Sequence, residues 1–260
     1  MNDVLSNEQR VEQVLLSQHN VMALSSEYPE GYQTQWHTHN HSQLVYAVSG
    51  VLKVSTEQGI WITPPLRAIW IPKEVKHKVE VLSKASMRSL YMKPTLLKEL
   101  GDNCSVIQVS ALLRELIVYM CHQDSNYDEA GPTGRVVAVI LDQLSVVTTE
   151  PLSMPTSTEV RLQKILTAMM VNPAENTTLE QWAVQLHMSP RTLSRLFSQQ
   201  LNMSFSQCRH QLRLLIAIGL LAKGDKLAKV AHDVGFSSQS SFIKRFKLSF
   251  GVTPKQYFMQ

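Results

Sequence analysis

One pattern in the last hundred residues constrains the fold of this 260-residue chain more than any other. The stretch "HMSPRTLSRLF" (His187 to Phe197) returns about fifty residues later as "GFSSQSSFIKRF" (Gly235 to Phe246). In the first copy Ala183, Leu186 and Met188 precede Ser189; in the second Ala231, Val234 and Phe236 precede Ser237. The tails also agree, "FSQQLNMSFSQ" against "FKLSFGVTPKQ", and the second copy carries one extra residue between its start and Phe246. A duplicated unit of this size is a supersecondary element that occurs twice. Each copy reads as a short helix, a tight turn and a second helix. Ala183 and Ala231 let the paired helices approach closely, and His187 and Gly235 sit at the turns. Ser189 as N-cap with Pro190 behind it starts the second helix sharply, because proline lacks only an N–H that would be orphaned there.

The second helix of each copy sorts its residues by chemistry. Leu193, Leu196 and Phe197 form an apolar rear in the first, Phe242 and Phe246 in the second. Arg191, Ser194 and Arg195 remain on the front of one; Gln239, Ser240 and Lys244 remain on the front of the other. That division suits a helix in the DNA major groove, where arginine bonds guanine bidentately and glutamine reads adenine. The Ser-rich start of the second helix, with Ser238, offers backbone amides to phosphate, and Ser189 at the start of the first is a further DNA-contact candidate. An exposed amphipathic helix is the bland alternative for either copy alone, and duplication argues against it. Charge points the same way. Met1 to Thr156 holds 12 Lys+Arg against 16 Asp+Glu, a net −4, whereas Ser157 to Gln260 holds 13 against 5, a net +8. A basic module behind a mildly acidic one expects a polyanion partner.

Upstream, residues of about 25–93 read as short strands, "QLVYAVSG", "VLKVSTEQG", "IWITPP", "RAIWIPK" and "HKVEVL", broken by Gly, Pro and small polar residues. That pattern expects a β-barrel or sandwich. After Pro94 the period becomes helical in "VSALLRELIVYMCHQ" and "GRVVAVILDQLSVV", two helices within about 109–147 that either dimerise the chain or cover the barrel. The expected organisation is α+β: a sensor and dimerisation domain over 1–150, a Pro-containing linker over 151–158, and an all-α DNA-binding domain with two helix-turn-helix motifs over 159–260. No apolar run reaches the ~18 residues that span a bilayer. Cys104, Cys121 and Cys208 form neither a disulfide framework nor a zinc pattern, so the expected location is the cytoplasm, with no membrane partner.

The residues from about Arg161 to Phe258 closely resemble the AraC family of bacterial transcription regulators, most specifically in "MSPRTLSRLF", "GFSSQSSFIKRF" and "FGVTPKQY". The resemblance implies two recognition helices held apart by a long central helix, here Phe205 to Lys223. It places base-reading positions on Arg191, Ser194 and Arg195, then on Gln239, Ser240 and Lys244. One departure lies ahead of the second recognition helix, where Ala228 stands at the usual Ser or Thr cap, with Asp225 as a substitute cap or a fraying helix start. Lys229 replaces the acid common just after that cap and either strengthens phosphate contact or merely alters a surface.

"GYQTQWHTHNHSQLVYAVSG" resembles the first motif of cupins, with His37, His39 and Gln43, and "IPKEVKHKVEV" resembles the second, with His77. A metal cupin has Glu where Gln43 stands. The expected effector pocket comprises His37, His39, Gln43, Arg67, Trp70 and His77, with Trp36, Tyr46, Trp61 and Tyr91 as further candidates. His37, His39 and His41 share a face if their strand is regular. No cofactor is required on this reading; its alternative is a divalent transition metal on His37, His39 and His77. The strand region looks especially like the subgroup containing the repressor of a 2-nitroimidazole efflux pump, which implies control of a neighbouring exporter gene. Expected partners are double-stranded DNA, a small-molecule effector, a second copy of the chain and RNA polymerase. The runner-up reading is a metal-dependent cupin enzyme with an appended helical domain; a third is a DNA binder with little sequence preference.

Overall fold

A computed structural model describes residues 7–57, 59–63, 67–147, 149–150, 153–155 and 157–259. The chain divides into two compact units, residues 1–56 with 61–153, and residues 57–60 with 154–260. Pro151, Leu152 and Thr156 of the expected linker, and Pro64 and Pro65 of the expected "IWITPP" strand, lie outside the described residues.

The first unit contains α1 (Asn7–Leu15), β1 (Val21–Tyr28), β2 (Ser42–Thr56), residues 61–63 of β3 (Gly59–Thr63), β4 (Arg67–Ile71), β5 (His77–Met92), β6 (Ser105–Gln108), α2 (Ala111–Met120), α3 (Pro132–Ser145) and β7 (Thr149–Glu150). Its antiparallel sheet runs β1-β5-β2-β4-β6-β7, with β3 also pairing β2. The path has free ends at β1 and β7, so the expected cupin-like β-domain is present as an antiparallel sheet that does not close among the described residues. The long strands bend instead of wrapping round. Pairing of β2 with β5 shifts register between Ala47 and Ser49, between Ser49 and Val51, and between Val51 and Leu52. Extra residues of this kind kink a strand. Gly50 sits at the kink with φ 86°, where a Cβ would collide with the Lys84 carbonyl and Ala85.

Alternation gives the sheet two unlike faces. Leu44 and Tyr46 of β2, Ala68 and Trp70 of β4, and Leu90 of β5 join one apolar cluster with helix residues. The buried stripes Leu113, Ile117, Met120 of α2 and Val137, Ile140, Leu144 of α3 complete it. These helices therefore cover the sheet, as one of the two sequence readings had it. Gln43, Val45, Ile69 and Ile71 project from the opposite face, since Gln43 pairs with Ile71 and Val45 with Ile69.

The second unit is helical: α4 (Val160–Val171), α5 (Leu179–Gln185), α6 (Pro190–Leu201), α7 (Phe205–Ala222), α8 (Leu227–Asp233), α9 (Gln239–Phe250) and α10 (Pro254–Met259). The sequence duplication is a structural one down to single dihedrals. His187 and Gly235 take left-handed φ values of 53° and 83° at the two turns. Behind them Met188 N–H bonds the Ala183 carbonyl at 2.8 Å, and Phe236 N–H bonds the Ala231 carbonyl at 2.9 Å. Asn202 and Gly251 take φ values of 52° and 76° where α6 and α9 end. Such left-handed closures satisfy the last carbonyls of a helix.

One charged side chain ties this unit together. Arg213 of α7 is 5% exposed. Its guanidinium donates to the Pro173 carbonyl at 2.7 Å, the Glu175 carbonyl at 3.2 Å and Asn176 Oδ1 at 2.9 Å, all ahead of α5. It also donates to the Gly235 carbonyl at 2.8 Å, in the second turn. A Cβ on Gly235 would come 2.6 Å from Arg213 Nη2 and 2.8 Å from Ala174 Cα. Arg213→Met leaves three backbone carbonyls without their donor and is expected to destabilise this unit by about 3 kcal/mol or more. Denaturant unfolding followed by far-UV circular dichroism checks this, and a change below about 1 kcal/mol would refute the fastening role.

Candidate functional site

Both recognition helices start on a built cap. Ser189 Oγ accepts the Thr192 N–H at 3.1 Å ahead of α6, and Ser238 Oγ accepts the Ser241 N–H at 3.1 Å ahead of α9. Counting from the caps, Phe197 and Phe246 are both the eighth helical residue, so the extra residue of the second copy lies in its turn. Arg191 is then equivalent to Ser240, Arg195 to Lys244, and Ser194 to the half-buried Ile243. Leu193, Phe197, Phe242 and Phe246 are fully buried. Arg191, Ser194, Arg195, Gln239, Ser240 and Lys244 are all exposed, with Ser189 and Ser238 beside them. Arg191, Thr192, Ser194, Arg195 and Ser198 line one shallow hollow on α6. The front of each helix is thus exposed while Leu193, Phe197, Phe242 and Phe246 of its rear are buried in the domain.

Ahead of α9 the expected substitute cap is corrected. Lys226 is the N-cap of α8 and makes no side-chain cap bond. Asp225 instead accepts from Lys229 Nζ at 3.1 Å, and Asp233 lies 3.8 Å from the same ammonium.

In the first unit a second group of sequence-distant side chains converges. His37 and His77 exchange both backbone hydrogen bonds, His37 N–H to the His77 carbonyl at 3.0 Å and His77 N–H to the His37 carbonyl at 2.9 Å. A directly opposed antiparallel pair puts its side chains together on one face, and the two rings lie 4.2 Å apart. The His39 ring lies 5.0 Å from that of His77. Ring nitrogens of His37, His39 and His77 all come within 4.8 Å of one another. Gln43, 3% exposed, joins them: its Oε1 is 3.1 Å from His39 Nε2. Its amide donates to Ser89 Oγ at 3.2 Å and to Tyr91 Oη at 3.0 Å. Burial holds His39 below the ordinary histidine range and pushes His77 down to about 3. Burial also raises Tyr91 well above the usual phenol range. Both buried imidazoles are therefore neutral near pH 7.

Two sequence regions match known protein families. Residues 182–260 match the model of a helix-turn-helix domain, and residues 19–137 match that of an AraC-like ligand binding domain. The chain is 34% identical over 221 residues to the HTH-type transcriptional regulator NimR of Escherichia coli (strain K12), covering 85% of this chain and 81% of that protein. The chain belongs to the AraC-type family of transcription regulators.

The HTH-type transcriptional regulator RipA of Corynebacterium glutamicum is 35% identical over 111 residues, covering 43% of this chain and 32% of its own length. A crystal structure of ToxT from Vibrio cholerae aligns with 92% of this chain and 98% of its own at 15% identity and a TM-score of 0.39. As an AraC-type regulator the chain is a DNA-binding protein with a ligand-binding domain ahead of it. Among the described residues, no helix is long and apolar enough to cross a membrane.

Of the residues expected in the effector pocket of this regulator, four meet and two do not. His37, His39, Gln43 and His77 form the cluster. Trp70 lies on the helix-covered face with its indole N–H donating to the Gly101 carbonyl at 3.2 Å, so alternation along β4 removes it. Arg67 shares the Gln43 face but sits four residues from Ile71, the partner of Gln43, a separation of about 13 Å along the strand. His41 also stays apart. Residues 38–41 are not a regular strand, and His41 Nδ1 turns to Asn40 Oδ1 at 2.8 Å. Tyr46 packs under α2 and α3 with Trp70, whereas Tyr91 does reach the cluster through Gln43. Ser89 was not singled out in the sequence. Its position two residues before Tyr91 on β5 was the available signal, since both then share the Gln43 face.

The ion pairs of Lys229 separate it from Lys244. Its charge is already answered by Asp225 ahead of α8 and Asp233 at its end, whereas exposed Lys244 has no ion pair among the described residues. Lys244→Ala is expected to lower the salt slope of DNA affinity by about one, and Lys229→Ala by clearly less. Mobility-shift titrations over a series of salt concentrations check this; equal slopes for the two variants would contradict it.

Proposed function

We propose that this regulator reads a specific operator through α6 and α9, and that a small molecule held at the first unit's histidine face controls that binding. The carrying observation is the shared register of α6 and α9, with equivalent cations at Arg195 and Lys244 on two exposed fronts whose rear residues Leu193, Phe197, Phe242 and Phe246 are fully buried. A non-specific binder needs the cations but not the duplication of caps, turns and closures around them. Between the fronts the chemistry differs, Arg-Ser-Arg on one and Gln-Ser-Lys on the other, which suits reading two different base sequences. Effector control requires that the small molecule bind two states of the protein unequally.

A homodimer belongs to this reading, because pairing two such domains doubles the half-sites contacted. Leu112 and Tyr119 of α2 and Val139 of α3 are exposed large apolar residues on the covering helices and supply surface for it. A cytoplasmic location and contact with RNA polymerase belong to it as well. Control of a neighbouring exporter gene is supported by the resemblance of the strand region. The histidine cluster is the observation that would favour a metal-dependent enzyme; relatives named as transcriptional regulators favour a chain without catalytic activity.

A mobility shift against random competitor tests the main claim. The chain's own promoter is expected to bind roughly 10³-fold or more tightly than random DNA at physiological salt. Arg195→Ala should lose about 1–3 kcal/mol of discrimination at one or two base pairs. Equal loss on all sequences would make Arg195 a phosphate contact and overturn its assigned role. Genomic footprinting then reads the half-site spacing and the controlled gene together.

A further inference from the structure

The two helix-turn-helix copies differ at one half-buried position. With Phe197 equivalent to Phe246, Leu196 of α6 falls on Arg245 of α9, and both are half-buried. The first copy fills this place with an apolar side chain and the second with a guanidinium. Partial burial of a charge costs free energy unless partners are met. Arg245 Nε, shut off from water, has no hydrogen-bond partner among the described residues. Its side chain lines a hollow of about 700 Å³ whose walls also include Asn176, His210, Arg213, Ser241 and Lys244. No Asp or Glu lines that hollow. Arg213 keeps its full positive charge there, because its acceptors are carbonyls and an amide, none of them an anion. His210, with its ring centred 6.2 Å from that of Phe236, has its Nδ1 buried without a partner. Burial holds the His210 imidazole below the ordinary histidine range, and the charges of Arg245, Arg213 and Arg209 press in the same direction. Cations set around one hollow repel one another, and an anion entering it relieves that repulsion.

We propose that this hollow receives a backbone phosphate of the DNA strand alongside α9, bonded by Arg245, at a flank where the first copy carries no cation. The proposal rests on the reading of α9 as a recognition helix. Successive helical residues stand about 100° apart, so Arg245 lies one such step round from Lys244 on the exposed front. Exposed Lys244 and Leu248 line the same hollow, which therefore opens on that front. A helix in the major groove lies between two phosphate strands. A cation on its flank meets phosphate while its front meets base edges. The planar fork of a guanidinium matches phosphate oxygens bidentately. Turning toward them breaks no hydrogen bond at Nε, since none is made there. Such a contact carries no sequence information; it fixes the position of α9 on the duplex.

The test is a mobility-shift titration of the full chain over a series of salt concentrations, on its own promoter and on random duplex DNA. Arg245→Leu installs the residue that the first copy already accommodates, so the thermal midpoint of the free protein is expected to hold or rise. Affinity for both duplexes is expected to fall alike, by about tenfold at the lowest salt, and the salt slope to drop by about one. Arg245→Lys keeps the charge and is expected to keep the slope. An unchanged slope in Arg245→Leu overturns the proposal. So does a lowered thermal midpoint with affinity intact, which makes Arg245 structural, or a loss confined to the promoter, which makes it a base reader. Inorganic phosphate added to the free chain is the control for a lone anion. A rise in thermal midpoint that Arg245→Leu abolishes, with the duplex slope unchanged, would place free phosphate in the hollow and remove the DNA contact. The two readings fail separately. Equal wild-type affinity for both duplexes, with the slope lowered in Arg245→Leu, keeps the phosphate contact and removes the specific operator. Promoter-specific binding with the slope unchanged in the variant does the reverse.

Discussion

A guanidinium inside a helical domain is the constraint on which the DNA-facing geometry depends. Arg213 projects from the long helix α7 and meets carbonyls both ahead of the first helix-turn-helix copy and inside the turn of the second. Burial disfavours its charge and lowers its affinity for the proton, yet the group stays ionised because arginine starts far above neutral pH. With four acceptors around one planar fork, the connection before α5 and the turn after α8 are held to a single relative position. Gly235 belongs to the same arrangement, since a side chain there would enter the space the guanidinium fills. The spacing of two recognition helices is thereby a property of a buried polar contact and not of apolar packing alone.

The ligand-binding unit solves a different problem. A sheet with one face under helices has an opposite face free to carry polar groups, and β2 and β4 keep the two sets apart by simple alternation. Tyr46 and Trp70 went to the helix side, while Gln43, Ser89 and Tyr91 went to the other. The histidines arrive there by backbone pairing: the segment before β2 lies along the start of β5, so His37 and His77 become direct neighbours although forty residues separate them. Close approach of the two rings follows from that pairing, with each Nδ1 held to a backbone carbonyl two residues away.

Much of the helical unit was legible in the residues because its information is local. A serine before a proline, an alanine at a close helix approach and an apolar residue every three or four positions act within one or two turns of chain. The register of α9 was less so, since an extra residue within a turn cannot be placed from the string: Ser237 and Ser238 are both competent caps, and packing of Phe242 and Phe246 chose Ser238. The start of α8 was less legible for a related reason: of the two readings, a substitute cap at Asp225 or an uncapped start, the helix begins at Lys226 without a side-chain cap bond, and Asp225 pairs with Lys229, four residues on.

By itself the sequence determined the duplication, the faces of the recognition helices, the basic charge of the second unit and the strand character of the first. These depend on periodicity and composition, which the chain carries wherever it goes. The tertiary structure alone decided that the sheet stays open, that Arg67, Trp70 and His41 stand away from the cluster, and that Ser89 and Tyr91 hold Gln43. Those outcomes turn on which strands pair, and in what register, across forty or more residues. A one-residue shift would have sent each of these side chains to the other face.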